Sequence, residues 1–230
     1  MIESTHLSDN AKHGRLFHIT AQEVILSGIL SIPENAHGIV LLTHDMEGVV
    51  KQPHEYAIAL AQSFYRNGLA TLLVDLLASE ELQVDKETGF FRTNTSIMEQ
   101  RITGIAEWLR EQTETANLSI GYFGTGVSGA AALIAAAERP DIVRAVVSAA
   151  GRLDMAQKYL SRILAPTMLI VAQNDTAAVR RHQDTLGQLT VDKQFEQIPD
   201  VSSLFESAHA LNEVARLAGQ WFTRWLIPIV

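Results

Sequence analysis

Between Ile120 and Leu133 the chain reads Ile-Gly-Tyr-Phe-Gly-Thr-Gly-Val-Ser-Gly-Ala-Ala-Ala-Leu, an apolar strand that breaks into a glycine-rich corner and opens a helix of small side chains. A strand that turns this sharply into a helix presents whatever residue stands at the corner above the edge of its sheet. In one large class of enzymes that residue is a nucleophilic serine, set in a small-x-nucleophile-x-small pattern on a strained turn. Two frames fit here. Gly124-Thr125-Gly126-Val127-Ser128 puts Gly126, with no side chain, at the centre, whereas Gly126-Val127-Ser128-Gly129-Ala130 puts Ser128 there. In the second frame Ser128 falls in the first turn of the helix, where capping or close helix packing is its alternative use.

The pattern around this corner sets the fold class. Short continuous apolar runs, the mark of strands buried on both faces, recur at Gly38 to Thr43, Ala70 to Asp75, Leu118 to Phe123, Val143 to Ser148 and Thr167 to Ala172. An opening strand is expected at Ile25 to Ile32 and a last one at Gln194 to Ile198. Helical spacing falls between them. Pro53 to Tyr65 carries Ala57, Leu60, Ala61 and Phe64 on one face and stops at Asn67-Gly68. Further helices are expected at Ser96 to Gln112, Val127 to Glu138 and Ser207 to Trp225, and Leu76 to Thr95 reads as an excursion over the sheet. Strands alternating with helices imply an α/β fold with a mostly parallel central sheet and helices on both faces. At 230 residues one domain is expected over 1–230, with residues 1–13 disordered.

Ligands of such sheets bind outside the carboxyl ends of the strands. The residues placed there are His44, Asp45, Asp75, the Gly124 to Ser128 corner, Asn174 with Asp175, and Asp200 to Phe205. Asp175 follows a buried strand, a good place for the acid of a Ser-His-Asp system and equally for a helix N-cap; the two uses are compatible. Of the eight histidines, His182 and His209 lie after it. His182 reads as part of an exposed helix face, and His209 stands at the start of the last helix, late for a base that must reach a nucleophile. His44 and Asp45 fall in the loop that supplies an oxyanion-hole amide, where a carboxylate opposes a developing oxyanion unless it points away.

Composition narrows the partners. A net charge of -8 counts against nucleic acid and anionic membrane, and leaves a small-molecule ligand and self-association open. The absence of cysteine excludes disulfides, thiolate metal sites and a cysteine nucleophile. No metal-ligand spacing is present, so no metal is expected. Gly124, Gly126 and Gly129 fit G-x-G-x-x-G formally, but they lie mid-chain and no acidic residue ends the next strand, so no cofactor is expected either. The polar first ten residues lack the pattern of a secretory signal, and a cytoplasmic protein is expected.

The chain resembles the dienelactone hydrolase-like branch of the α/β-hydrolase superfamily from about Glu23 to Trp225. The resemblance rests on Gly68 to Leu77, Glu107-Trp-Leu-Arg110, Ile120-Gly-Tyr-Phe-Gly124, Ala135-Ala-Ala-Glu-Arg-Pro140, and Ala165 to Val171 with Asn174-Asp175. It implies an esterase or lactonase scaffold, with His44, Asp45, Met46, Thr125 and Val127 in the oxyanion and substrate-binding region. Active relatives look like G-Y-F-G-A-S-T-G-A-A-A at the corner. Matched without a gap, this puts Gly126 where their serine stands. Matching their P-G-A-T-H-L-F-E to Pro199 through Glu206 puts Ser203 where their histidine stands, while Asp175 keeps the acid position. The family's oxyanion loop begins His-Gly, and this chain has Asp45 after His44. The resemblance therefore implies a protein that kept the scaffold and vacated the nucleophile and histidine positions. The alternative is an ester or lactone hydrolase that uses Ser128, Asp175 and His209.

Overall fold

A computed structural model describes residues 14–43 and 53–226. Eight strands form one sheet in the order β1-β2-β4-β3-β5-β6-β7-β8. They are β1 (Arg15–Ala21), β2 (Val24–Ser31), β3 (Gly38–Thr43), β4 (Ala70–Val74), β5 (Ser119–Thr125), β6 (Val143–Ala149), β7 (Thr167–Ala172) and β8 (Lys193–Ile198). β1 pairs antiparallel with β2 and β2 with β4, and every later pairing is parallel. The helices are α1 (Pro53–Arg66), α2 (Ser79–Thr88), α3 (Thr95–Glu111), α4 (Gly126–Glu138), α5 (Thr176–Gln188) and α6 (Ala208–Trp225). This is the mostly parallel α/β sheet that the sequence predicts. No helix among the described residues is long and apolar enough to cross a membrane.

Continuous apolar runs became the interior strands because every residue of β3, β4, β5 and β7 is buried. Neighbouring residues of β5 then serve opposite faces. Tyr122 enters the core under α3 and α4, and Phe123 enters the one under α1 and α6, where Phe64 meets both Phe123 and Phe222 edge to face.

Three elements depart from the sequence reading. β1 is an additional edge strand in which Ile19 and Ala21 alone are buried, and its turn to β2 holds Gln22 and Glu23 at φ 52° and 62°, without the glycine or asparagine that signals such a turn. α5 follows the Asp175 cap and carries His182, as the sequence reading allows, but the face it buries is Ala178, His182 and Thr185, two of them polar. His182 is therefore a core residue, and the reading of it as part of an exposed face is corrected. The excursion between β4 and α3 contains α2. The segment after β6 holds two 3₁₀ turns, Leu153–Met155 and Gln157–Arg162, and no α-helix.

Two buried charge clusters hold the α2 excursion. Asp85 accepts bonds from the amides of Phe91 and Arg92 at 2.7 and 3.0 Å and from Arg92 Nε at 2.6 Å. Arg101 of α3 donates through both terminal nitrogens to Glu81, at 2.8 and 2.5 Å, and to the Leu76 carbonyl at 2.5 Å. Such pairs hold geometry more than they add stability, because taking the charges out of water offsets most of their attraction.

Gly121 is where the centre of the sheet meets α6. A Cβ there would lie 2.7 and 2.8 Å from ring carbons of Phe222, which is fully buried and cannot swing aside. We expect Gly121→Ala to destabilise the protein by about 1–3 kcal/mol through overpacking. An unchanged denaturation midpoint in urea would refute this account of the α6 contact.

Candidate active site

β5 ends at Thr125 and α4 begins at Gly126, which adopts φ 49° in the left-handed region. That conformation suits glycine and strains any residue with a side chain. The two backbones cross so closely that a Cβ on Gly124 would come within 2.7 Å of the Ser128 carbonyl oxygen, and one on Gly129 within 2.6 Å of Ser148 Oγ. The corner is closed by Ser128. Its Oγ donates to the Thr125 carbonyl at 2.8 Å and accepts from the Thr125 amide at 3.2 Å, and the residue is fully buried. The hydroxyl is thus engaged with backbone as both donor and acceptor.

The loop after β6 supports the corner from the side, a feature that sequence reasoning missed. Ala150 takes φ 53°, Gly151 has no room for a Cβ because it would overlap Ser148 Oγ, and the Arg152 amide donates to the Gly126 carbonyl at 2.8 Å. The one signal for it in the sequence is the small-residue run Ala149-Ala150-Gly151 at the strand's end. Arg152 holds Asp154 through two hydrogen bonds, which lower the Asp154 carboxyl below the usual aspartate range.

The other candidate positions lie at the exits of β7 and β8. Asp175 caps α5, its Oδ1 accepting from the Ala178 amide at 2.9 Å, and the preceding Asn174 amide donates to the Val201 carbonyl at 3.0 Å. That bond joins the β7 exit to the loop carrying Ser203. Ser203 is half-buried and follows Asp200, which is held at φ 59°. Beside it, Leu204 is buried and Phe205 stacks on Tyr56 of α1 at 4.4 Å between ring centroids.

His209 is exposed in the first turn of α6, behind the cap in which Ser207 Oγ accepts from the Ala210 amide at 3.1 Å. Glu213, one turn along α6, has its carboxyl lowered chiefly by hydrogen bonding to Arg216 and in small part by His209. Ser128 and His209 therefore sit in opposite settings, one sealed under the corner and one in solvent. Thr125 is buried and Val127 packs in the core under α3 and α4. His44, Asp45 and Met46 lie outside the described residues. Among the described residues no group of three or more histidine, aspartate or glutamate side chains is placed to hold a metal ion.

The sequence pattern of the dienelactone hydrolase family matches residues 26–216. This chain belongs to that family. A crystal structure of dienelactone hydrolase from Anabaena variabilis is 39% identical and superposes with a TM-score of 0.87, covering 93% of this chain and 99% of that one. Est1E from Butyrivibrio proteoclasticus, at 12% identity and a TM-score of 0.74 over 91% of this chain and 98% of its own, shares the α/β-hydrolase fold. Two Mycobacterium tuberculosis proteins, provisionally named phosphoribosyl transferases, are 35% identical over 205 residues, 89% of this chain and 45% of theirs. The chain spans about half the length of those relatives.

Ser128→Ala removes both bonds that close the corner and leaves the Thr125 amide and carbonyl without this partner in a buried site. The expected loss is about 1–2 kcal/mol of stability, read from chemical denaturation. A change under a few tenths of a kcal/mol would mean that the hydroxyl is not the clasp of this turn.

Proposed function

We propose that this member of the dienelactone hydrolase family is a ligand-binding or interaction protein whose nucleophile and histidine positions are vacated at Gly126 and Ser203. The observation that carries the reading is the left-handed corner at Gly126, φ 49° at the junction of β5 and α4. This is the point where a nucleophile elbow exposes its serine, and glycine offers no atom to attack a carbonyl. Ser203 supports it from the β8 exit, since a hydroxyl there cannot take and return a proton as an imidazole does near neutral pH. Asp175 keeps the acid position, with no histidine at the matched position to orient.

The alternative set of Ser128, Asp175 and His209 has the correct chain order. A buried Ser128 bonded to Thr125 on both counts and a solvent-facing His209 weigh against it. His44, Asp45 and Met46, with Thr125 and Val127, belong to this reading as the oxyanion and ligand region. The acidic, cysteine-free composition suits a cytoplasmic protein with small-molecule ligands. Removing the nucleophile leaves at most the acceleration that binding and an oxyanion hole give, about 10³ to 10⁴ over water in the best-studied hydrolases.

Reaction with a fluorophosphonate, followed by intact mass and peptide mapping, tests the reading. The wild-type chain is expected to stay unlabelled, while the Gly126→Ser, Ser203→His double variant acquires one adduct at position 126. An adduct on Ser128 of the wild type would replace the proposal with the hydrolase alternative.

A further inference from the structure

α5 buries an imidazole that no proposed chemistry uses. His182 is fully shielded, and its ring lies nearly parallel to Phe195 of β8, 6.2 Å between centroids. Nδ1 stands 2.8 Å from the Ala178 carbonyl oxygen. A carbonyl only accepts, so Nδ1 carries the proton and donates it. Nε2 is also buried and has no hydrogen-bond partner among the described residues. A second proton could go only onto Nε2, where none of the described residues receives the new N–H.

Ala178 is the joint between this histidine and the acid position. Its carbonyl accepts from His182, and its amide donates to Asp175 Oδ1 at 2.9 Å. The first turns of α5 thus hang between a buried imidazole and the carboxylate at the end of β7. We propose that His182 is a positioning residue that works as a proton-operated latch: neutral, it holds these turns and Asp175 in place, and a proton on Nε2 releases them. The inference concerns the fold of α5 and stands whichever way the ligand reading falls.

The surroundings favour the neutral ring. Burial lowers its pKa from the ordinary imidazole value, the Ala178 carbonyl raises it in part, and then Arg181 opposes a second positive charge while Asp175 favours it. Of the elements packed on α5, β7 contributes no charged side chain. β8 contributes Lys193 and Glu196, and Lys193 Nζ donates to the Leu186 and Leu189 carbonyls at the far end of the helix. The 3₁₀ turns contribute Asp154, Lys158 and Arg162. Asp154, paired with Arg152 and sensing Arg181, has its carboxyl held low. The sign follows from a folded-state pKa below the open-state one. The latch is fully engaged above about pH 6.5, and opening takes up one proton as pH falls below that value, so the opening equilibrium rises by up to about tenfold per pH unit. The rise ends once the folded state binds the proton itself.

Hydrogen–deuterium exchange of the 176–188 peptides between pH 7.5 and 5.5, corrected for intrinsic rates, reads this opening. The expected result is that rise in the wild type and a flat profile in His182→Gln, whose amide can still donate to the Ala178 carbonyl but does not titrate. The same rise in His182→Gln, or a flat wild type, would overturn the latch. An NMR titration of the His182 ring in the wild-type protein needs no variant: titration below about 6.5 supports the proposal, and titration at or above it ends it.

Discussion

The close crossing of β5 and α4 is the contact on which the rest of the molecule depends. Gly124 and Gly129 let the two backbones approach to distances at which no side chain fits, and Ser148 of β6 fills the space beneath them. With the crossing fixed, the start of α4 is fixed, and so is the direction in which Gly126 faces. The adjacent loop conforms to it, since Ala150 adopts a left-handed φ and Arg152 binds the Gly126 carbonyl. Small side chains continue along α4, where Ala130 to Ala132 are buried against the sheet. The corner is thus built into the core, with Gly126 half-buried at its tip between buried Thr125 and Val127.

Interior strands were legible in the sequence for a physical reason. β3, β4, β5 and β7 are buried on both faces, so every residue had to be apolar or small, and a short unbroken run of such residues between turn signals suits a doubly covered strand better than a helix. β1 was not legible, because an edge strand buries few residues and its alternation is broken by Leu16, exposed on the polar face. The burial of the inner face of α5 was missed for the opposite reason. The helix buries a histidine and a threonine, which pattern reasoning assigns to solvent; His182 Nδ1 and Thr185 Oγ1 find partners locally in the Ala178 and Arg181 carbonyls one turn back, while His182 Nε2 finds none among the described residues.

The candidate site divides along the same line. Gly126 and Asp175 could be placed from the strand ends and from the resemblance, since each closely follows an interior strand. Ser128 satisfied a sequence pattern equally well, and its use as a clasp became visible only with its bonds to Thr125. For Ala150 and Gly151 the sequence offers only a run of small residues, which does not say what they meet. Their constraint comes from Ser148 and Ile170, the latter accepting from the Ala150 amide at 2.8 Å, and one of these contacts crosses to another strand.

The left-handed corner has a consequence for how this chain changes through descent. A residue with a Cβ held near φ 50° bears on the order of 1–3 kcal/mol of strain, and glycine bears little of it. At position 126, exchange of a side chain for glycine is downhill in folding free energy and the return is uphill. Since natural proteins sit close to their stability threshold, that difference is large enough to count. Such a position behaves as a ratchet: in a lineage no longer selected for attack at that corner, thermal stability alone pulls the residue towards glycine and holds it there.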